Sequence, residues 1–390
     1  MPTKAHSLIG RITYPLMVEA FKAVKRNRGA AGVDRVSVDM FNANLRQNLE
    51  ALLRELKAGT FQPQPLRRVF IPKDPEGKQV RPIGIPVVRD RVAQEVLRRL
   101  LSPIFEPHFH PASYGFRPNR NAHQAVEAAL ALHGQGKLHV LDADIKGFFD
   151  NLPHGVIMEA VAEKVADGKV LTLVERFLHC GVLEGGRLLA TGCGTPQGGV
   201  ISPLLANIVL NKLDWQMQAA GHSVVRYADD FVVICQTRRQ AEEALTLATD
   251  ILTGLGLQLS PEKTKIVTYG KGYTFLGFVL SRQSRRIRPK SLEKFKDNVR
   301  RLSRRSWNLD VDRVEHLNRV LRGIARYFGP KFVTNREQFH KLDSWIRMRL
   351  RAMQFKRKST VDNYKLRNRT LREQYGLLSL EALYVEQHGQ

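Results

Sequence analysis

The chain has 390 residues, with 62 Lys or Arg against 37 Asp or Glu, a formal net charge of +25 and an isoelectric point near 10.3. A cationic excess of this size points to a polyanionic partner, and 43% hydrophobic content in a chain of this length suits a soluble globular protein of more than one domain. No run of 18 apolar residues occurs and the start lacks a signal-peptide core, which argues against a membrane span and for the cytoplasm; Cys180, Cys193 and Cys235 form no Cys-x-x-Cys pair, which argues against a disulfide framework or a zinc site.

Residues 14–26 place Leu16, Val18, Ala20, Phe21 and Val24 at helical spacing. A basic, glycine-containing loop follows at 28–34. Residues 37–58 read as one further helix, capped by Ser37 and ended by Gly59. Residues 67–73 and 80–86 read as two short strands around the turn Asp74-Pro75-Glu76-Gly77, and their prolines predict edge strands. A cationic hairpin suits the cover of a triphosphate, because Lys and Arg neutralise charge that moves between phosphates; it suits an ordinary basic surface hairpin equally. Residues 89–101 predict a helix with Val92, Val96, Leu97 and Leu100 inward and Arg91, Arg98 and Arg99 outward. The loop Ser113-Tyr114-Gly115-Phe116-Arg117-Pro118-Asn119-Arg120 mixes aromatic and guanidinium groups, which fits nucleic-acid contact and fits a packed turn as well. Residues 121–133 are helical and alanine-rich.

Two acidic strands come next. In Leu138–Asp150 the period of two puts Asp142 and Asp144 on one face, with Leu141 and Ala143 on the other. Asp150, followed by Asn151-Leu152-Pro153, reads as a turn or helix cap. In Val224–Ile234 two apolar β-branched runs flank a tight turn that carries Asp229 and Asp230. Adjacent aspartates are most often a solvated turn. Here the apolar flanks and the second acidic strand favour a divalent cation held by carboxylate oxygens. Asp144 with Asp229 and Asp230 makes three carboxylates, the minimum for a site whose two metals stand roughly 3.5–4 Å apart.

Between these strands, Gly192–Gly199 is glycine-rich and lacks the Gly-Lys-Ser/Thr of a Walker loop; it admits close backbone approach by a substrate, or is a plain turn. A helix is predicted from Ser202 to Met217. Thr237–Gly254 predicts a surface helix with the stripe Ala241, Ala244, Leu245, Ala248 and Leu252. A strand at Leu257–Leu259 leads into Ser260-Pro261-Glu262-Lys263-Thr264-Lys265-Ile266. Residues 281–358 hold 24 Lys or Arg against 7 Asp or Glu in a helical pattern, with a third helix over 336–352, and the chain after Lys358 is short and polar.

Three ordered segments resemble the motifs of reverse transcriptases, specifically those encoded by group II introns. They are Asp144-Ile145-Lys146-Gly147-Phe148-Phe149-Asp150, then Gly194-Thr195-Pro196-Gln197-Gly198-Gly199 with Ser202-Pro203-Leu204-Leu205-Ala206-Asn207, then Tyr227-Ala228-Asp229-Asp230. The resemblance covers roughly residues 14–355. It implies an α+β right-hand polymerase: an N-terminal extension at 1–60, fingers at 61–137, a palm at 138–280, an α-helical thumb and maturase domain at 281–358, and a tail at 359–390, with no DNA endonuclease domain. It implies RNA-dependent DNA synthesis with two Mg²⁺ ions, for which Mn²⁺ substitutes. The implied partners are deoxynucleoside triphosphates, an RNA template expected to be group II intron RNA, and a DNA primer or target. No membrane is implied, and monomer and dimer both stay open.

The same resemblance implies residue roles. Asp144, Asp229 and Asp230 hold the metals, with a backbone carbonyl beside Asp144, at Ala143 or Ile145, as a further ligand and nucleotide neighbour. Lys263 protonates the departing pyrophosphate. Lys73 and Arg81 approach the triphosphate. Phe149 stands beside the sugar and excludes a ribose 2′-hydroxyl. Gln197 lies near the nascent base pair. Arg117 and Arg120 lie near the template, and the hairpin with Phe275, Leu276 and Gly277 resembles a primer grip. The basic helices are expected to bind the parent intron RNA and assist its splicing and mobility. Two other readings stay open: an RNA-binding splicing cofactor with a vestigial polymerase site, against which the three intact aspartates argue, and a relative recruited to host defence.

Overall fold

The computed structural model describes residues 4–72, 80–195, 198–357 and 361–389. Lys73, Gln197 and the turn Asp74–Gly77 lie outside the described residues. The chain divides into two compact units, one of Met1–Leu132 with Leu141–Ile266, the other of His133–Val140 with Val267–Gln390.

In the first unit, α1 (Tyr14–Arg26) starts at Thr13, whose hydroxyl accepts the Leu16 N–H, and it buries Met17, Ala20, Phe21 and Val24. The single helix expected over 37–58 is two, α2 (Val38–Ala43) and α3 (Leu45–Ala58). Ser37 caps the first and Gly59, at φ 78°, ends the second. The break falls at Asn44, and Asn48 donates its amide to the Phe41 carbonyl at 2.9 Å, which takes up an acceptor released there.

β1 (Leu66–Pro72) and β2 (Val80–Ile85) pair antiparallel. Of these two only β2 is an edge strand, contrary to the expectation for both. The outer pairing of β1 involves Leu66 and Arg67 alone, so Pro72 lies beyond that ladder and its missing N–H is not needed. In α4 (Val88–Phe105) a second expectation fails: Arg91 is buried. Its guanidinium donates to the Pro86 carbonyl at 2.9 Å and to the Ala30 carbonyl, so loop carbonyls that need donors draw it inward. Arg98 and Arg99 both bind Glu95, which is itself buried.

After α5 (Ala122–Gly134) come β3 (His139–Asp144), α6 (Phe148–Asn151), α7 (His154–Ala162) and α8 (Gly168–Leu178). Asp150 lies inside α6 instead of capping a helix. β4 (Val182–Glu184) and β5 (Arg187–Leu189) complete a sheet of order β2-β1-β4-β5. Then follow α9 (Ser202–Ala219), β6 (Ser223–Tyr227), β7 (Asp230–Cys235), α10 (Arg238–Gly254) and β8 (Lys265–Thr268). Thr237 and Gln240 form a capping box at the start of α10. The strand expected at Leu257–Leu259 is one antiparallel bridge, Leu259 to Ile145.

The second sheet has the order β6-β7-β3-β8. α9 packs on β6 and α10 on β7. Leu141, Ala143, Phe231 and Val233 from the strands share one apolar core with Leu210, Leu213, Ala244 and Ala248 from the helices. That core fixes which face of β3 is left for its aspartates.

The second unit contains β9 (Tyr273–Phe275), β10 (Phe278–Leu280) and β11 (Arg285–Ile287), then α11 (Pro289–Leu302), α12 (Val311–Phe328), α13 (Arg336–Gln354), α14 (Asn368–Glu373) and α15 (Leu380–His388). The segment read as a polar tail is folded into this unit. Asp343 on α13 accepts the Ser379 hydroxyl at 2.7 Å and the N–H groups of Leu380 and Glu381 at 2.8 and 3.1 Å, which caps α15 from another helix. Asn318 bonds both Gly376 and Leu378. Among the described residues no helix is long and apolar enough to cross a membrane.

Candidate active site

The hairpin β6–β7 turns on two residues, with Tyr227 opposite Asp230. Ala228 takes φ 58°, the left-handed conformation that a two-residue hairpin turn demands. Asp229 thus sits at the turn and Asp230 opens β7. β3 lies next to β7 in the sheet, so Asp144 at its end comes beside the turn.

Burial pushes the Asp229 carboxyl above the usual carboxylate range. The charge on Asp144 raises it further, while Arg81 and Arg226 pull it down. Asp144 and Asp229 are therefore close enough to repel, and the Arg81 charge reaches the same point. Asp142, two residues before Asp144, is pushed up to about 6, mainly by burial and against the pull of Lys265. Lys265 Nζ lies 3.6 Å from Asp142 Oδ2, so it is not a purely solvated lysine.

Lys263 Nζ stands 2.9 Å from Asp144 Oδ2. The ammonium occupies the position beside Asp144 where a cation is wanted. The loop that carries it is fastened to β3: Lys146 N–H donates to Gln258, and Ser260 N–H donates to the Asp144 carbonyl at 2.7 Å.

Among the described residues, no three or more His, Cys, Asp or Glu side chains are gathered closely enough to hold a metal. Asp229 and Asp230 are adjacent at the turn, and the strand order brings the end of β3, with Asp144, next to β7. Lys263 is already bound to Asp144, and the charge on Asp144 disfavours ionisation of Asp229. Two hard carboxylates whose charges disfavour each other are a donor set that fits a divalent cation. Ala143 is buried and Ile145 is engaged in the bridge to Leu259.

Phe149 is half-buried, edge-on to Phe148 at 5.2 Å. Its carbonyl accepts the Thr195 N–H at 2.7 Å, which ties the expected sugar-side ring to the glycine-rich segment. A Cβ on Gly194 would meet the Asp150 carbonyl at 2.7 Å, so only glycine permits this approach. At the far end of the segment, Gln94 on α4 accepts the Val200 N–H at 2.7 Å.

The two arginines expected near a template differ in their surroundings. The Arg117 side chain is only 6% exposed: it pairs with Glu106 and donates to the carbonyls of His110 and Ser113 at 2.7 and 2.8 Å. Its guanidinium is used to hold the loop. Arg120 stays exposed, with its guanidinium 5.4 Å from the Tyr114 ring centre.

In the second unit, Phe275 is fully buried, so its side chain cannot meet a primer. Leu276 and Gly277 form the turn of β9–β10, at φ 49° and 87°. Their carbonyls are taken by the Tyr327 hydroxyl at 3.0 Å and the Arg288 N–H at 3.0 Å. The hairpin exists as expected, with its carbonyls engaged inside the unit.

Sequence reading assigned no individual role to Arg226, Asp214 or Asn207. All are buried, and they bond to one another directly beneath the acidic turn. The one signal available was an arginine within an otherwise apolar strand.

Residues 71–280 match the family model described as reverse transcriptase (RNA-dependent DNA polymerase). Residues 292–374 match the model described as group II intron, maturase-specific domain. The chain is 36% identical over 322 residues to protein YkfC of Escherichia coli (strain K12), across 72% of this chain and 84% of that protein. It is 39% identical over 197 residues to the group II intron-encoded protein LtrA of Lactococcus lactis subsp. cremoris, across 50% of this chain and 32% of that one. A 91 kDa protein in the cob intron of Schizosaccharomyces pombe is 28% identical over 399 residues, across 79% of this chain and 47% of its own length. The chain thus spans most of the first of these proteins and less than half of each of the other two.

Proposed function

The chain belongs to the reverse transcriptase family and carries a group II intron maturase-specific domain, and on that premise we propose that it copies RNA into DNA at the site built on Asp144 and Asp229. The observation that supports this most directly is the placement of Asp144 at the end of β3, beside the strand that opens with Asp230 after the Asp229 turn, with the Lys263 ammonium 2.9 Å from the Asp144 carboxylate.

Asp144, Asp229 and Asp230 are the residues that would hold divalent ions, two Mg²⁺ or Mn²⁺ in their place. Bound there, such ions strengthen the primer 3′-hydroxyl as a nucleophile and neutralise charge on the departing pyrophosphate. Lys263 carries a proton at Nζ that the pyrophosphate takes as it leaves. Arg81 lies within electrostatic reach of Asp229, in place to neutralise a triphosphate. Phe149 presents a ring that disfavours a 2′-hydroxyl. The substrates are deoxynucleoside triphosphates, an RNA template and a DNA primer or target. The C-terminal helices bind group II intron RNA and assist its splicing, and their dense positive charge supports this. The cytoplasm is the compartment that suits these partners.

The test is primer extension on an RNA template with Mg²⁺ and the four deoxynucleotides, comparing the natural protein with Asp229→Ala/Asp230→Ala. Extension by the natural protein alone is expected. No extension by a folded, RNA-binding natural protein overturns the reading.

A further inference from the structure

Arg226 is 0% exposed, in the strand that leads into the acidic turn. Its Nε donates to both oxygens of Asp214 at 2.8 and 3.0 Å, and its Nη2 donates to Asp214 Oδ2 at 2.6 Å. Its Nη1 donates to Asn207 Oδ1 at 2.9 Å and to the Ala228 carbonyl at 2.8 Å. Asp214 and Asn207 both lie on α9 and are both buried.

Stability alone is a poor reason for this arrangement. Removing two opposite charges from water costs several kcal/mol per ion, and an apolar pair of the same volume often does as well. The bond to Ala228 gives a better one. Ala228 is the left-handed residue of the turn, a conformation that non-glycine residues hold only when their surroundings impose it. The surroundings here do impose it. Arg226 N–H donates to Ala112 at 3.0 Å and Tyr114 N–H donates back to Arg226 at 2.9 Å, which lays the 112–115 segment along the strand. Asn207 also donates to the Gly115 carbonyl at 2.8 Å. A Cβ on Gly115 would stand 2.3 Å from the Ala228 nitrogen. The turn is thus gripped from one side by a guanidinium and from another by bare backbone.

We infer that Arg226 is a positioning residue: held by Asp214 and Asn207, it locks the Ala228 carbonyl to α9 and thereby sets where the Asp229 carboxylate points. α9 opens directly after the glycine-rich segment, so the same helix supports both the nucleotide seat and the carboxylates. The inference rests on the proposed polymerase reading, in which Asp229 acts at the reacting phosphate.

Arg226→Lys keeps a charge for Asp214 and loses the planar fork that reaches Asn207 and Ala228 together. Three readouts are taken: thermal unfolding, the separate kcat and KM of single-nucleotide incorporation, and amide hydrogen exchange across 224–235. The variant is expected to stay folded at the assay temperature. Its kcat falls about 10–100-fold, as expected for a small misplacement of a catalytic group, while KM for primer–template stays unchanged. Exchange at Asp229 and Asp230 quickens about tenfold, and exchange within α10 does not. Glu95→Gln, which weakens the pairing of the buried Glu95 with the partly exposed Arg98 and Arg99 on α4, is the comparison: it lowers the melting temperature and leaves kcat within about twofold. A natural-like kcat in Arg226→Lys, or exchange that quickens evenly through the unit, overturns the inference. If Arg226→Lys does not fold, Asn207→Ser is judged by the same readouts. If the natural protein extends no primer, the polymerase reading fails, and the exchange comparison still decides whether Arg226 holds the turn.

Discussion

Lys263 Nζ and Asp144 Oδ2 are 2.9 Å apart although 119 positions separate the two residues. The side chains are 63% and 42% exposed, so the pair contributes at most about 1 kcal/mol to folding. Its placement beside Asp144 is where its value lies.

Lys263→Ala should therefore leave the unfolding free energy within about 1 kcal/mol of the natural value. Single-nucleotide incorporation should fall by about 10²–10⁴, the usual range for loss of a general acid. Lys263→Arg should fall between, because guanidinium keeps the charge and does not release its proton. Rapid-quench extension of one nucleotide checks this. An alanine variant with the natural rate removes Lys263 from the chemistry.

Arg117 and Arg120 should separate cleanly. Arg117→Ala leaves Glu106 without its partner in a largely buried setting and should cost about 1–3 kcal/mol of stability. Arg120→Ala should change stability by no more than about 0.5 kcal/mol, weaken RNA binding, and reduce the slope of log affinity against log salt by about 1. Denaturant unfolding and a salt titration of RNA binding distinguish the two.

Asp90 gives a pH prediction. It is buried on α4, its Oδ2 accepts the Gln64 N–H at 2.7 Å, and its Oδ1 has no partner. Burial pushes its carboxyl up to about 7. In the unfolded chain the same group titrates near 3.9. Between those values the folded protein holds more proton than the unfolded one, so stability is fully present below pH ~4 and falls as pH rises toward 7, by up to about 1.4 kcal/mol per unit. Asp90→Asn removes that share of the slope. Urea unfolding at pH 5 and pH 8 should show the variant losing less than the natural protein over the interval, and an equal loss in both refutes the assignment.

Asp343→Ala should release the end of the chain. Asp343 supplies the acceptors for Ser379, Leu380 and Glu381, so its removal strands buried N–H groups at the start of α15. The expected cost is about 1–3 kcal/mol, with faster protease cleavage between α14 and α15. Asp343→Asn keeps an acceptor and should lose less.

Much of the site was legible because its signals are local. Two apolar, β-branched runs separated by Ala228-Asp229-Asp230 announce the hairpin of β6 and β7, and alternation in β3 places Asp142 and Asp144 on one face. Ser37, Gly59 and Thr237 mark helix ends through bonds that reach three or four residues. The split at Asn44 escaped because helical spacing continues across it. The role of 359–390 escaped because its capping acceptor, Asp343, sits on another helix.

The sequence by itself determined the acidic turn, the order of the motifs and the cationic character of the last third, since each is carried by neighbouring residues. Only the tertiary structure decided the fate of the arginines and lysines. Arg91, Arg117 and Arg226 are all basic residues that composition would send to the surface, and the side chains of all three are largely withdrawn from water. Each went inside because carbonyls or a carboxylate from elsewhere in the chain were waiting for its donors. A charged group is buried only where partners replace its water. Those partners are assembled by the fold, so no window of sequence around the arginine contains them.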